Sequence, residues 1–283
     1  MIIFKESNSL SKYLVAQRNI GRTTGFVPTM GALHNGHTSL IAFSKKTCDL
    51  TVSSIFINPT QFNNPDDFKK YPITLNSDII QLDKAGCDIL FLPTVIEIYP
   101  HGFNNPPKYD IGELEFVLEG AHRHGHFQGV CQVVERLLSI VAPQKLFLGQ
   151  KDFQQTLVIK KMISLTNINV DVVVGSTERL PSGLAMSSRN MRLSNQELEK
   201  ATMIYQVLVY IKEHISSQPL NQLEAYAKDL LLNHGFDSVD YFSIVSLPDL
   251  KPVDILEHNN QLIAVTAATI GDVRLIDNMV VSK

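Results

Sequence analysis

The first 175 residues alternate between short apolar runs and longer segments with helical periodicity. The clearest periodic segment is 129–141, where apolar residues recur at intervals of three and four and predict a helix. Apolar runs typical of buried strands occur at 25–28, 50–57, 88–92, 146–148 and 170–174. Alternating strands and helices favour a mostly parallel sheet with helices on both faces. The sequence therefore predicts an α/β domain over residues 1–175.

The pattern changes after about residue 175. Segments 196–215 and 220–233 predict helices, and Ser194 with Glu197 forms the S-x-x-E pattern of a capping box. Three β-like runs follow, at 239–245, 261–267 and 273–276. Two helices followed by three strands are typical of a small α+β unit. We therefore expect a second, smaller α+β domain over residues 176–283.

Composition narrows the functional class. The 283 residues carry a formal net charge of −3, which does not indicate the basic surface that an extended nucleic-acid interface needs. There is no run of about 18 apolar residues and no apolar N-terminal segment, so we expect neither a membrane span nor a signal peptide. Three widely spaced cysteines, Cys48, Cys87 and Cys131, fit buried thiols in a reducing compartment. We expect a cytoplasmic protein.

Residues 30–37 read Met-Gly-Ala-Leu-His-Asn-Gly-His and lie between a predicted strand and a predicted helix. The start of a helix offers unpaired N–H groups and a partial positive charge, so it binds anions. Gly31 and Gly36 allow the backbone to approach a ligand closely. His34 and His37 are three residues apart, so both can point to one side of the first turn. This arrangement predicts hydrogen bonding to a polyphosphate.

Three other interpretations of this segment remain open from its residues alone. The spacing Gly31-x4-Gly36-His37-Thr38 comes close to a P-loop, but His37 stands where that loop needs a lysine. An H-x-x-H pair could hold zinc, although no third ligand is identifiable. Two surface histidines at a helix start are the simplest alternative.

Three further segments carry polar groups at predicted strand ends or in loops. Asn58 and Gln61 follow a predicted strand, beyond which ligands bind in open α/β sheets, and they could bind a hydroxyl, carboxylate or amine. Lys151, beside Asp152, offers a charge for a phosphate. Residues 183–190 combine a glycine, two hydroxyls and a guanidinium, a combination that suits phosphate binding. Taken singly, these segments are also explained as a turn, a solvated ion pair and a polar hinge loop.

In their order and spacing, the four segments together resemble the pantothenate synthetase (pantoate–β-alanine ligase) family over essentially the whole chain. The matching residues are Val27-Pro28-Thr29-Met30-Gly31-Ala32-Leu33-His34-x-Gly36-His37, Asn58-Pro59-x-Gln61-Phe62, Gly149-x-Lys151-Asp152-Phe153-Gln154-Gln155 and Gly183 to Asn190. The first segment also carries the H-x-G-H signature of a wider nucleotidyltransferase superfamily. The resemblance implies an ATP-dependent condensation of (R)-pantoate with β-alanine to pantothenate. A pantoyl-adenylate would be the intermediate, and AMP and pyrophosphate would be released.

The resemblance also implies a Rossmann-like N-terminal domain that binds nucleotide and pantoate, a C-terminal lid domain and a homodimer. His37 would be the proton-donating catalytic histidine, and His34 and Lys151 would stabilise charge on the phosphates. Gln61, Gln155 and Asn58 would bind substrate. Mg²⁺ would accompany ATP, with no residue assigned as its ligand. The implied ATP-binding residues are Met30, Gly31, Ala32, Leu33, His34, Asn35, Gly36, His37, Gly149, Gln150, Lys151, Asp152, Met186, Ser187, Ser188 and Arg189.

The chain departs from the family pattern at several positions. Gln150 stands where glutamate is usual, and Ile73 stands where arginine is common. Glu178 replaces the valine of the usual P-T-V-R run, which leaves an adenine contact there open. His124 replaces a proline in the stretch 122–127, whose three histidines we interpret as loop residues.

No carboxylate cage for Mg²⁺ is evident, and Asp78 is the acid to examine first.

Two other functional classes also remain. A related nucleotidyltransferase that adenylylates a phosphorylated alcohol shares the first and fourth segments and would release only pyrophosphate. A nucleotide-sensing module on the same scaffold would bind ATP without turnover. An aminoacyl-tRNA synthetase is disfavoured by chain length and by the lack of a basic excess.

Overall fold

A computed structural model describes residues 1–104, 106–253 and 261–281. The chain divides into two compact units, Met1–Gln150 with Gln154–Ser176, and Lys151–Phe153 with Thr177–Lys283. The short segment Lys151–Phe153 therefore groups with the second unit, although its neighbours in sequence group with the first. Residues 254–260 and 282–283 of the predicted second domain lie outside the described residues.

The first unit contains a six-stranded sheet. Its strands are β1 (Ile2–Phe4), β2 (Thr24–Thr29), β3 (Leu50–Ile55), β4 (Ile89–Phe91), β5 (Lys145–Gly149) and β6 (Asp171–Gly175). They follow the order β1-β4-β3-β2-β5-β6, and neighbouring strands are parallel. The predicted parallel α/β class is confirmed. The edge strand β1 was not predicted, since its three residues are too few to carry a periodic signal.

Helices cover both faces of this sheet, as predicted. They are α1 (Ser7–Asn19), α2 (Asn35–Thr47), α3 (Pro65–Lys69), α4 (Leu75–Lys84), α5 (Val95–Ile98), α6 (Glu119–His122), α7 (His126–Val141) and α8 (Phe153–Thr166). On β2, Phe26 packs into a core with residues of α1 and α7. The next residue, Val27, packs into a separate core with residues of α2 and α4. Successive side chains of a strand point to opposite faces, so both faces of β2 are buried.

The strand order reverses around β2. The chain passes from β2 to β3 and β4 on one side, and later places β5 and β6 on the other side. In such sheets ligands bind beyond the carboxyl ends of the strands, at the point where the order reverses. The predicted segments 30–37 and 58–61 follow β2 and β3, and Gly149 ends β5. The fold therefore brings these strand ends to one edge of the sheet.

The second unit contains a three-stranded antiparallel sheet and three helices. The helices are α9 (Asn195–Ala201), α10 (Met203–His214) and α11 (Leu220–Asn233), and the strands are β7 (Ser238–Ser246), β8 (Leu262–Ile270) and β9 (Val273–Val280). The strand order is β7-β8-β9. The predicted capping box is confirmed, because Glu197 N–H donates to Ser194 Oγ (3.3 Å) and Ser194 N–H donates to the Glu197 carboxylate (2.7 Å).

The prediction of one continuous helix over residues 196–215 is wrong. The segment 196–215 is divided between α9 and α10 at Thr202. The Thr202 hydroxyl donates to the Glu199 carbonyl (2.7 Å), and a hydroxyl bond of this kind competes with the backbone ladder of a helix. Apolar periodicity continues across the break, which is why the sequence did not reveal it.

Within the described ranges, no helix combines the length and apolar character needed to cross a bilayer. All three cysteines are free thiols. Cys87 and Cys131 are buried, as predicted, and burial raises the pKa of each thiol to about 12. Cys48 is only partly buried. The high pKa values make Cys87 and Cys131 structural rather than reactive thiols.

Candidate active site

The first turn of α2 is capped by two histidines. His34 is the N-cap residue, and its Nδ1 accepts a hydrogen bond from Gly36 N–H (3.1 Å). His37 Nδ1 accepts in turn from His34 N–H (3.3 Å). The two imidazole rings lie 4.1 Å apart between centroids. The predicted pair is therefore brought together, and it takes the role that serine and glutamate have in an ordinary capping box.

This capping determines where each neutral imidazole carries its proton. A ring nitrogen that accepts a hydrogen bond is unprotonated, so we infer that the proton of each ring is on Nε2. His34 and His37 thus each carry an N–H donor at the ring atom farthest from the backbone. Two donors at a helix start, where the helix dipole favours negative charge, form an arrangement suited to phosphate oxygens.

The loop between β2 and α2 is held by a buried carboxylate. Asp78 of α4 is only 1% exposed, and its two oxygens accept from Ala32 N–H (3.0 Å), Leu33 N–H (2.8 Å) and the Thr74 hydroxyl (3.0 Å). Gly31, with φ of +82°, provides the left-handed turn that brings these amides to Asp78. Asp78 is thus a support of the loop, and it does not fit a magnesium ligand.

Asn58 and Gln61 form one hydrogen-bonded unit after β3. Asn58 is 1% exposed, and its Nδ2 donates to Gln61 Oε1 (3.2 Å) and to the Gly129 carbonyl (3.1 Å). Its Oδ1 accepts from the Tyr99 hydroxyl (2.7 Å). Gln61 Nε2 lies 3.0 Å from Met30 Sδ, so Gln61 meets the first predicted segment. These bonds hold the Asn58 amide against Gln61, and the predicted contact of Asn58 with substrate stays a prediction.

His126, whose contact the sequence analysis missed, is hydrogen-bonded to the backbone of Gln61. His126, which is 5% exposed, accepts at Nε2 from the Arg123 guanidinium (3.1 Å). Arginine can only donate, so the proton of His126 is on Nδ1, and Nδ1–H donates to the Gln61 carbonyl (2.7 Å). Arg123 also lies 3.5 Å from the Glu119 carboxylate. The prediction that His126 is a loop residue is wrong, since it begins α7 and is buried.

Helix α7 packs closely against the segment that contains Thr60 and Gln61. A Cβ atom on Gly129 would lie 2.4 Å from the Thr60 carbonyl, so only glycine permits the contact. The sequence did contain a signal for His126, because it is followed by an apolar helical run whose buried face starts at that position. The interpretation of three neighbouring histidines as one loop hid that signal.

The two glutamines at the start of α8 differ in their surroundings. Gln154 is 6% exposed, accepts from Glu119 N–H (3.0 Å) and donates to the Leu114 and Val117 carbonyls (2.9 Å each). It is therefore a structural anchor for the segment before α6. Gln155, the predicted pantoate ligand, is partly buried.

The predicted residues of the second unit lie in two short turns. The Lys151 side chain is 18% exposed, and its Nζ lies 3.8 Å from Asp152 Oδ1. Ser187 is the N-cap residue of a short 3-10 helix (Ser188–Arg192), and its hydroxyl accepts from Arg189 N–H (3.3 Å). Both turns carry a cation and polar groups of the kind that binds phosphate.

Comparison with known proteins gives one consistent family. The family model for pantoate-beta-alanine ligase matches residues 2–280. The chain is 43% identical over 283 residues to the pantothenate synthetase of Cytophaga hutchinsonii, with 99% of each chain covered. Its structure matches that of the Thermus thermophilus pantothenate synthetase with a TM-score of 0.92, at 35% identity and 100% coverage of both chains. The pantoate-beta-alanine ligase of Francisella tularensis, complexed with beta-gamma ATP and beta-alanine, matches with a TM-score of 0.83 at 37% identity, covering 99% of this chain and 97% of that one.

Proposed function

This chain belongs to the pantoate–β-alanine ligase family, and on that premise we propose that it condenses (R)-pantoate with β-alanine to pantothenate, using ATP. The observation from the site that best supports this chemistry is the reciprocal capping of α2 by His34 and His37. It places both imidazoles at an anion-binding helix start beside the point where the strand order reverses.

In the first step, a carboxylate oxygen of pantoate attacks the α-phosphorus of ATP. The bond to the bridging oxygen breaks, pyrophosphate leaves, and pantoyl-adenylate forms. The protein forms no covalent bond, so its contribution is positioning and charge stabilisation. We assign the Nε2–H donors of His34 and His37, the Lys151 ammonium and the Met186–Arg189 loop to the phosphate oxygens. His37 is the donor closest to the reacting phosphate in this proposal.

Pantoate binding is assigned to Gln61 and Gln155. Asn58 donates to the side-chain oxygen of Gln61, and His126 donates to the backbone carbonyl of Gln61, so both the side chain and its backbone are held before substrate arrives. An oriented amide loses less conformational entropy on binding than a mobile one. In this proposal Asn58 and His126 position Gln61, and Gln61 and Gln155 contact the substrate.

In the second step, the neutral amine of β-alanine attacks the acyl carbon of the adenylate. The C–N bond forms, the amine gives up a proton, and AMP leaves with the electrons of the C–O bond. An acyl-adenylate is readily hydrolysed, so water has to be excluded between the two steps. We propose that the second unit, residues 176–283 in the sequence prediction, acts as the lid that does this. Residues 1–175 would form the nucleotide- and pantoate-binding domain.

Mg²⁺ fits this chain as a companion of the nucleotide. Asp78 uses its oxygens within the protein, and in the part of the chain that the structure describes no group of three His, Cys, Asp or Glu is arranged to hold a metal ion. Mg²⁺ commonly binds phosphate oxygens and water with few protein ligands. We propose that ATP enters as its magnesium complex, in which the ion neutralises phosphate charge.

We further propose that the protein is a cytoplasmic homodimer. The three free thiols are in keeping with a reducing compartment. The dimer rests on the family resemblance, and light scattering of the purified chain tests it by mass.

A product assay separates the candidate activities. Purified protein is incubated with ATP, Mg²⁺, pantoate and β-alanine, and products are identified by mass spectrometry. We expect pantothenate, with AMP formed only when β-alanine is present. Transfer of the adenylyl group from ATP to a phosphorylated alcohol, with release of pyrophosphate and no free AMP, would identify the related nucleotidyltransferase instead. Tight ATP binding without turnover of any carboxylic acid would identify a nucleotide-sensing module.

A further inference from the structure

We propose that two neighbouring residues of β9, Asp277 and Asn278, are positioning residues for the triphosphate. Asn278 holds the turn that carries Lys151, and Asp277, through Arg179, holds the loop that leads to Met186–Arg189. The two phosphate-binding segments of the second unit are thereby fixed in one rigid body. This inference rests on the proposed function, which assigns both segments to ATP.

The first connection is a side-chain bond to the backbone of Lys151. Asn278 is 3% exposed, and its Nδ2 donates to the Lys151 carbonyl (2.8 Å). This bond joins positions 127 residues apart in sequence. It also accounts physically for the grouping of Lys151–Phe153 with the second unit, because the turn is tied to β9. The backbone from which the Lys151 side chain extends is therefore held in place relative to the rest of that unit.

The second connection runs through a buried ion pair. Asp277 is 4% exposed, and its carboxylate accepts two bonds from the Arg179 guanidinium (2.5 and 3.0 Å). Arg179 also donates to the Gly183 carbonyl (3.1 Å) and stacks on the Tyr205 ring, with Cζ 4.7 Å from its centroid. These contacts tie the Arg179 guanidinium to the loop and to β9.

The loop itself has little freedom at this point. Residues 179 and 185 form a β-bridge, so Arg179 closes the turn from which Met186 emerges. Gly183 has φ of +90°, and a Cβ there would lie 2.0 Å from Tyr205. Tyr205 thus packs against both Gly183 and Arg179. The backbone path into Met186–Arg189 is fixed by these contacts rather than by the exposed part of the loop.

The two connections meet on β9. Asp277 Oδ1, which accepts from Arg179, also accepts from Asn278 N–H (2.8 Å). One carboxylate therefore fixes the guanidinium on one side and the backbone that presents the Asn278 amide on the other. Misplacing a reactive group by about 1 Å can lower a rate by about 10²-fold, so a support of this kind affects catalysis without touching substrate.

The competing explanation is that these residues only stabilise the second unit. A buried ion pair is weak grounds for a stabilising role, since apolar residues of similar volume often replace such pairs without loss. The two explanations differ in one measurable respect. A positioning residue acts through the group that it positions, so its effect disappears when that group is removed.

The test is a double-mutant cycle between Asn278→Leu and Lys151→Met, with single-turnover formation of pantoyl-adenylate as the readout. In the wild-type background we expect Asn278→Leu to lower the rate roughly 10-fold or more. In the Lys151→Met background we expect a change of less than about 2-fold. Asn233→Leu makes the same substitution at an exposed position of the second unit and should leave the rate unchanged. Equal losses in both backgrounds would overturn the proposal.

A second variant covers the ion pair and guards against misfolding. Asp277→Leu alone should lower both the thermal midpoint and the adenylation rate, because it leaves the Arg179 charge buried. Adding Arg179→Met should restore the midpoint while the rate stays low, since the Gly183 anchor is still absent. Recovery of both quantities would mean a merely structural role. Lys151→Met with wild-type adenylation would instead refute the proposed function, so the two failures are distinguishable.

Discussion

The support of Gln61 by His126 can be tested with two substitutions that divide the functions of the imidazole. The amide of asparagine reaches about as far as Nδ1, whereas the amide of glutamine reaches about as far as Nε2. His126→Asn should therefore retain a donor for the Gln61 carbonyl and lose the acceptor for Arg123. His126→Gln should do the reverse. Both variants remove the ring that lies 5.0 Å from Phe127, so each controls for the other.

The expected magnitude follows from the burial of this bond. The Nδ1···O distance is 2.7 Å, and the imidazole is 5% exposed. Leaving a buried polar group without its partner costs about 1–3 kcal/mol, which corresponds to roughly 5- to 150-fold. His126→Gln should lower kcat/KM for pantoate by an amount in this range, because Gln61 loses its support. His126→Asn should stay within about 3-fold of wild type, and the KM for ATP should change little in either variant.

The assay is initial-rate AMP formation with pantoate varied at saturating ATP and β-alanine. Thermal unfolding of each variant is measured alongside, so that a loss of folded protein is not counted as a loss of binding. Equal defects in the two variants would refute the reasoning, as would a defect that appears in the KM for ATP rather than for pantoate.

Two further predictions concern the proposed site, and a third concerns the stability of the first unit. His37→Asn places an acceptor where Nδ1 caps His34 N–H, so the variant should fold normally while pre-steady-state adenylation falls about 10²–10⁴-fold; an unchanged rate would remove His37 from the chemistry. Gln155→Ala should raise the dissociation constant of pantoate more than that of ATP in equilibrium titrations, and equal increases would contradict the assignment. Hydrogen bonds from the Ser7 hydroxyl and, to a smaller extent, from the Ser7 N–H lower the pKa of Glu97 below its ordinary value of 4.5. The stability that ionised Glu97 contributes is therefore fully present above pH 4.5, and it is lost as the pH falls through the folded-state pKa. Glu97→Gln should therefore reduce the free energy of unfolding by about 1 kcal/mol at neutral pH, and urea titrations should show that difference vanish below the folded-state pKa of Glu97.

Features with local causes were predicted well from the sequence. The periodicity of 129–141 and the spacing of Ser194 and Glu197 act within a turn or two of helix, so the residues themselves determine the outcome. The pairing of His34 and His37 is local in the same sense. Their spacing of three residues places both at the first turn of α2, whatever the rest of the chain does.

Features with distant causes were not predicted. Asp78 supports amides 45 and 46 residues away, and Asn58 donates to a carbonyl 71 residues away. Whether a carboxylate binds a metal or a backbone amide depends on which groups the fold places next to it. Local sequence patterns do not reveal contacts between residues so far apart in the chain. His126 is a further case, since its partner, the Gln61 carbonyl, is a backbone atom that every residue type possesses.

The use of histidine as a helix cap connects the fold to the chemistry. Serine or aspartate at position 34 would satisfy the first turn at least as well, but a capping aspartate has no donor, and the remaining O–H of a capping serine stays close to the backbone. A neutral imidazole that accepts at Nδ1 carries a donor at Nε2, so in the proposed mechanism one side chain closes the helix and donates to the developing charge. Because the backbone N–H groups hold each ring before substrate binds, the mechanism that we propose needs no reorganisation when negative charge accumulates on the phosphate. Folding of the first turn of α2 and preparation of the donors are therefore the same event.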